Sequence, residues 1–237
     1  MNHVSASQVK IFDRCNRKWW WRYVQRIAQP PTHAMTLGTT VHKHIEDSLN
    51  GVAEIPDDSL AKAAEPILDK ILSPNIRVEH DIEMPVANTG IKFVGRADII
   101  DLGFDTPRVI DIKTTSSIAK WGARPKKLVH DVQMNVYAYA VLLDFAPDAD
   151  EVEVSHVYVQ TKGARKSKQV KTLLSREHVD SMWAEITESV YQMMEISEEQ
   201  FQNSIPVNLE ACSDFGGCPY ANHCLAAKSK KESRNVR

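Results

Sequence analysis

The spacing of apolar positions changes character along the chain. From Ser5 to about Val24, Val9, Phe12, Trp19, Trp20 and Tyr23 recur at helical spacing behind a Ser5/Gln8 capping-box pair. Pro30-Pro31 ends that run. A second helix is predicted over Leu37 to Leu49, closed by Asn50-Gly51, and a third over Ser59 to Leu72, kinked or split at Pro66. After Ser73-Pro74 the period becomes two, with Ile76, Val78, His80, Ile82, Met84 and Val86 alternating against polar neighbours. Asn88-Thr89-Gly90 signals a turn, and Ile91 to Leu102 returns as the second arm of a hairpin.

Arg108 to Thr114 reads as a third strand and Leu128 to Phe145 as a helix closed by Pro147. Val152 to Gln160 and Gln169 to Leu174 read as two more strands, joined by a basic loop. A long helix opens at Ser175 with Met182, Trp183, Ile186, Val190, Met193 and Met194 on its apolar face. Glu210 to Ala227 looks irregular, with little core of its own, and the polar tail Lys228–Arg237 has the composition of a disordered segment. No internal repeat is visible. One mixed sheet flanked by helices is the simplest architecture that buries all of these faces.

Composition adds limits. The 237 residues, 43% hydrophobic and 25% charged, suit one domain that folds without disulfides. No stretch approaches the ~20 consecutive apolar residues of a membrane span, and Met1 to Ser5 lacks the layout of a signal peptide. A cytoplasmic protein with no membrane partner is the expectation. The net charge of -2 gives no argument for a polyanionic partner. Basic residues do gather at Arg14–Arg26, Lys120–Lys127, Lys162–Lys171 and in the tail.

Two stretches carry candidate chemistry, Gly95-Arg96-Ala97-Asp98 and Val109-Ile110-Asp111-Ile112-Lys113-Thr114. Residues two apart on a strand point to one side, so Asp111 and Lys113 project together while Ile110 and Ile112 face the other layer. Asp98, on the neighbouring strand, can bring a second carboxylate beside Asp111. Paired oxygen donors of this kind suit Mg2+ or Mn2+. A plain salt bridge of Asp111 with Lys113 or Arg96 is the competing reading.

The chain resembles the RecB-like branch of the PD-(D/E)XK nucleases. More closely, it resembles the iron–sulfur nucleases that include the AddB C-terminal domain and the CRISPR-associated RecB-like exonucleases. Gly38-Thr39-Thr40-Val41-His42 is similar to the first motif of that family, the two strand stretches to its second and third, and Gln133-Met134-Asn135-Val136-Tyr137 to its Gln-x-x-x-Tyr motif. The matches occur in family order from Ser5 to Cys224. The resemblance implies an α/β, restriction-endonuclease-like fold over residues 1–227. It implies a metal set of His42, Asp98, Asp111 and Ile112, and catalytic roles for Asp98, Asp111, Lys113, Gln133 and Tyr137. Taken without it, His42 lies on a helix facing the same core as Leu37, Val41 and Ile45. Gln133 and Tyr137, four apart, share one helix face.

Four cysteines complete the pattern: Cys15 alone near the start, then Cys212, Cys218 and Cys224, each separated by five residues. In a reducing compartment disulfides are disfavoured, and four thiolates can hold a [4Fe-4S] cluster. One N-terminal and three C-terminal cysteines is the arrangement of the resembling family, although its commonest pattern sets two of the later cysteines only two residues apart. Structural Zn2+ is the alternative, and zinc sites usually pair ligands two to four residues apart.

Trp121, among Lys120, Arg124, Lys126 and Lys127, combines base-stacking and phosphate-binding groups that suit single-stranded or frayed DNA. A basic loop with one anchoring Trp is the competing reading. Trp19-Trp20-Trp21 reads as helix core around the cluster rather than a DNA platform. The expected function is a metal-dependent DNA exonuclease, or an end- and flap-processing nuclease, of recombination, repair or phage DNA processing. Its expected substrate is single-stranded DNA or duplex ends with weak sequence preference, and a recombination or helicase partner fits that role. The alternative is a catalytically silent DNA-binding module of a recombination complex.

Overall fold

The structure, a computed structural model, describes residues 1–122 and 124–224. The tail Lys228–Arg237, expected to be disordered, lies outside the described residues, as does the end of the irregular segment reaching Ala227. In chain order the elements are β1 (His3–Val4), α1 (Ala6–Arg14), α2 (Asn16–Trp19), α3 (His33–Leu49), α4 (Glu65–Ile71), β2 (Ile76–Pro85), β3 (Lys92–Asp101), β4 (Arg108–Thr115), α5 (Ile118–Trp121), α6 (Pro125–Leu128), α7 (Val132–Asp144), β5 (Glu151–Gln160), β6 (Ser167–Ser175) and α8 (Arg176–Ser197). They form two compact units. Among the described residues, one comprises 31–84 and 93–184, the other 1–30, 85–92 and 185–224.

The larger unit holds a mixed sheet in the order β3-β4-β5-β6, with β2 pairing β3. β3 and β4 run antiparallel, β4 and β5 parallel, and β5 and β6 antiparallel. The parallel register sets Asp111 opposite His156 and Lys113 opposite Tyr158. Strand alternation sends Ile110, Ile112, Val157 and Val159 into a core with Val41 and Ile45 of α3 and Leu68 of α4. Asp111 and Lys113 face away from that core, on the side where α7 packs against β4 and β5.

α7 starts at Asp131, whose carboxylate accepts from the Gln133 and Met134 amides at 3.0 and 3.1 Å. It is buried on nearly every face from Met134 to Leu142. The third predicted helix is split as Pro66 demands. A 3-10 turn over Leu60–Ala63 precedes α4, and Pro66 sits in the first turn of α4, where its missing N–H costs nothing.

The smaller unit departs from expectation in its first helix. Cys15, with extended backbone (φ -165°, ψ 107°), breaks the stretch into α1 and α2, and Trp20–Val24 continues as a π-helix. Capping of α1 is as read from sequence, since Ser5 Oγ accepts from the Gln8 amide. Trp19 and Trp20 are buried, as core residues. The start of the chain is tied to its later part by the Arg14–Asp214 ion pair at 2.8 Å. The Arg17 amide donates to the Pro206 carbonyl at 3.2 Å and the Tyr220 hydroxyl to the Ile27 carbonyl at 3.2 Å. Among the described residues, no helix is long and apolar enough to cross a membrane.

Candidate active site

The site is built where β3, β4, α3 and α7 of the larger unit meet. On β4, Lys113 Nζ lies 2.6 Å from Asp111 Oδ2. Gln133 of α7 completes both residues: its Nε2 donates to Asp111 Oδ1 at 2.9 Å and its Oε1 accepts from Lys113 Nζ at 3.0 Å. An ammonium can only donate, so the amide oxygen must face Lys113 and the amide nitrogen Asp111. Tyr137, one turn on, donates its hydroxyl to the Arg96 carbonyl at 2.7 Å and accepts from Gln133 Nε2 at 3.2 Å. The helix face carrying Gln133 and Tyr137 thereby locks onto both motif strands.

Asp98 sits one position beyond the paired register of β3 and β4. Its Oδ2 accepts from the Ile112 amide at 2.6 Å, and its Oδ1 lies 3.4 Å from His42 Nδ1 on α3. Arg96 does not reach Asp111; it pairs with Asp81 at 2.7 Å. His42 is less enclosed than its expected core position implies. Val41 and Ile45 are buried at 1% and 3% exposure, while the His42 side chain keeps 31% and stands at the rim of the core.

Burial and charge work against each other here. Burial pushes the Asp111 carboxyl up to about 6, against the pull of the Lys113 ammonium. Burial alone would lower Lys113, but the charge and hydrogen bond of Asp111 outweigh it and hold the ammonium above its ordinary value. Both effects together favour the charged form of Lys113. For His42, burial is likewise outweighed by its hydrogen bond and charge interaction with Asp98, and the imidazole lies above its usual range.

Two residues of this region carry no sequence motif. Glu79 of β2 places a carboxylate oxygen within 4.8 Å of ligand atoms of both His42 and Asp98. Its backbone has φ +49°, left-handed and held by a non-glycine residue inside a strand, which costs about 1–3 kcal/mol. In the sequence, Glu79 is merely one polar position of an alternating strand. His156 is buried, with Nε2 3.7 Å from Asp111 Oδ2 and Nδ1 3.0 Å from the Tyr158 hydroxyl. Only the β4–β5 register brings it there. By contrast, Asp101, beside the second motif, serves structure alone: it accepts from the Ser73 and Gly103 amides at 3.0 and 3.1 Å.

The glycine of the second motif has a steric reason. A Cβ on Gly95 would stand 2.8 Å from Tyr137 Cε1. Gly95→Ala is expected to displace the Tyr137 ring, break its bond to Arg96, and destabilise the protein by about 1–3 kcal/mol. Urea denaturation measures this, and an unchanged midpoint would contradict the tight fit.

The four cysteines belong to the smaller unit, and none is in a disulfide. Their side chains line one cavity with Arg17, Lys18, Trp21, Val207 and Tyr220. Arg17 is buried (6% exposed); its Nε and Nη2 donate to the Ile205 carbonyl at 3.2 and 2.7 Å, while Nη1 lies 3.9 Å from Cys224 Sγ. Burial pushes the Cys218 thiol up, reinforced by Cys15 and Cys224 and opposed by Lys18. Outside this unit, Trp121 is 60% exposed, with Lys120 Nζ 4.9 Å from its ring centroid, so it anchors no core.

The paired strands β3 and β4 carry Asp98, Asp111 and Lys113, and comparison with known proteins gives the class. The family description "PD-(D/E)XK nuclease superfamily" matches residues 3–76 and 60–225, and the chain belongs to that superfamily. Among curated proteins no sequence matches it. A putative exonuclease from Eubacterium rectale superposes with a TM-score of 0.53 at 12% identity, over 90% of this chain and 86% of that one, which shows a shared fold. SSO0001 aligns with a TM-score of 0.48 at 16% identity, over 95% and 87% of the two chains. An alkaline exonuclease from Laribacter hongkongensis aligns at 0.38 and 13%, over 83% and 90%.

Proposed function

We propose that this chain is a divalent-metal-dependent DNA exonuclease, or a nuclease acting on ends and flaps, that hydrolyses phosphodiester bonds in recombination, repair or phage DNA processing. One observation carries the reading. Lys113 is held as a cation between Asp111 and Gln133, beside an imidazole and a carboxylate from other elements. The donor set fits a hard divalent cation. His42 and Asp98 converge, and Asp111 stands on the adjoining strand.

His42, Asp98, Asp111 and the backbone of Ile112 would hold Mg2+ or Mn2+. When bound, the ion supplies Lewis acidity to the scissile phosphate and eases deprotonation of the attacking water. Lys113 offsets the negative charge that builds on the phosphoryl oxygens in the transition state. Gln133 keeps Lys113 and Asp111 in fixed relation. Tyr137 fixes Gln133 to the β3 backbone, so that α7 and the two strands act as one rigid frame. Exposed Trp121 with Lys120 offers a stacking and phosphate-binding platform suited to a single strand or a frayed end.

In the smaller unit we propose a [4Fe-4S] cluster on Cys15, Cys212, Cys218 and Cys224. The buried Arg17 charge beside Cys224 supports it, because a buried cation requires a counter-charge that a thiolate would supply. Structural Zn2+ on the same four thiolates is the alternative.

The purified protein is expected to degrade end-labelled linear DNA with Mg2+ or Mn2+ and to spare closed circles. EDTA should reduce cleavage to background. Undiminished cleavage in EDTA would refute the metal-dependent reading.

A further inference from the structure

We propose that Glu79 is a ligand of the divalent cation, completing a donor set of His42, Glu79 and Asp98 from α3, β2 and β3. The inference rests on the nuclease reading and adds to it a residue outside the motif positions.

Three elements converge on one point, their donor atoms all within 4.8 Å of one another. The neighbouring cations are engaged elsewhere: Arg96 with Asp81 at 2.7 Å, and Lys43 with Asp47 at 2.8 Å. The imidazole of His42 is the basic group that shares Glu79's position. Two carboxylates, brought together and partly buried, repel unless a cation joins them, either a metal ion ligated by neutral His42 or the His42 imidazolium itself.

Asp111, held by Gln133 at Oδ1 and Lys113 at Oδ2, keeps a further lone pair on each oxygen, so Glu79 adds to its role and does not replace it. A cleft of about 370 Å³, lined by Gly38, Thr39, His42, Lys43, Glu46 and Glu79, opens beside the group and leaves room for a phosphate and water to complete the coordination. The left-handed backbone at Glu79 belongs to the same picture, because it sets the position of a side chain that regular alternation would place otherwise.

The test reads Mn2+ binding to the metal-free protein by electron paramagnetic resonance, independently of cleavage. Glu79→Gln is expected to weaken Mn2+ binding roughly tenfold or more. Glu79→Asp and Glu79→Asn are isosteric, and both residues tolerate left-handed backbone. The Asp variant should therefore bind Mn2+ more tightly than the Asn variant. Glu46→Gln, on the same cleft, should stay within about twofold of wild type, which controls for loss of charge in general. Mn2+ affinity that is equal in wild type, Glu79→Gln and Glu79→Asn overturns the assignment while leaving the nuclease reading intact, provided wild type cleaves. A wild-type protein that neither binds Mn2+ nor cleaves DNA overturns both.

Discussion

Replacing Lys113 with alanine is expected to lower cleavage of linear DNA by roughly 10²–10³-fold or more, with DNA binding in EDTA largely retained. Among the described residues, the ammonium is the cation that touches both Asp111, at 2.6 Å, and Gln133, at 3.0 Å. No backbone shift can replace it, because the opposite face of β4 is packed into the core through Ile110 and Ile112. The loss should fall on the chemical step rather than on affinity. Most DNA affinity comes from dispersed phosphate contacts, to which one lysine adds little.

The protein should still fold. Asp111 would lose its partner, but its carboxyl already sits at about 6 and can take up a proton, so a buried bare charge is avoided. Melting in EDTA, anisotropy with labelled DNA, and single-turnover cleavage separate these effects. A Lys113→Ala protein that cleaves at the wild-type rate would remove the residue from the mechanism. One that fails to bind DNA would reassign it to substrate affinity.

Cys15→Ser is expected to bleach the protein and to loosen the smaller unit. Wild type purified without oxygen should be brown and contain about four irons per chain, as a [4Fe-4S] cluster requires. The variant should lose both. A link from Cys15 to Cys212 closes a very long loop, worth on the order of 4 kcal/mol in the chain-entropy account. For a chain of this size that corresponds to roughly 10 °C in Tm. Among the described residues, other ties at the smaller unit's ends include the exposed Arg14–Asp214 ion pair, the buried Arg17 bonds to the Ile205 carbonyl and the Tyr220–Ile27 bond. An exposed ion pair contributes little alone, and hydrogen bonds of this kind contribute about 1 kcal/mol each. Visible absorption, metal analysis and limited proteolysis of residues 1–30 read the outcome. A colourless wild type carrying one zinc per chain would assign the cysteines to zinc instead.

Much of the candidate site is legible in the sequence. Period-two alternation placed Asp111 and Lys113 on one side of a strand, and the 2.6 Å pair is the direct result. Spacing of four put Gln133 and Tyr137 on one helix face, which follows from 3.6 residues per turn. Turn chemistry at Asn88-Thr89-Gly90 and the breaker at Pro66 located element ends within a few residues. These features are local, so a linear pattern carries them. The break at Cys15 was not legible, because the apolar spacing continues through it. The backbone turns there although the side-chain pattern does not.

Local periodicity was enough to set strand and helix identity, the shared side of Asp111 and Lys113, and the shared face of Gln133 and Tyr137. Each depends on neighbours only a few residues away. The company these residues keep came from the packed chain. Strand register set His156 against Asp111, β2 with its left-handed residue carried Glu79 to His42 and Asp98, and folding of the smaller unit gathered cysteines from both ends around one cavity. Such meetings depend on where whole elements lie. Residue spacing along a strand or helix says nothing about which other element will cross it.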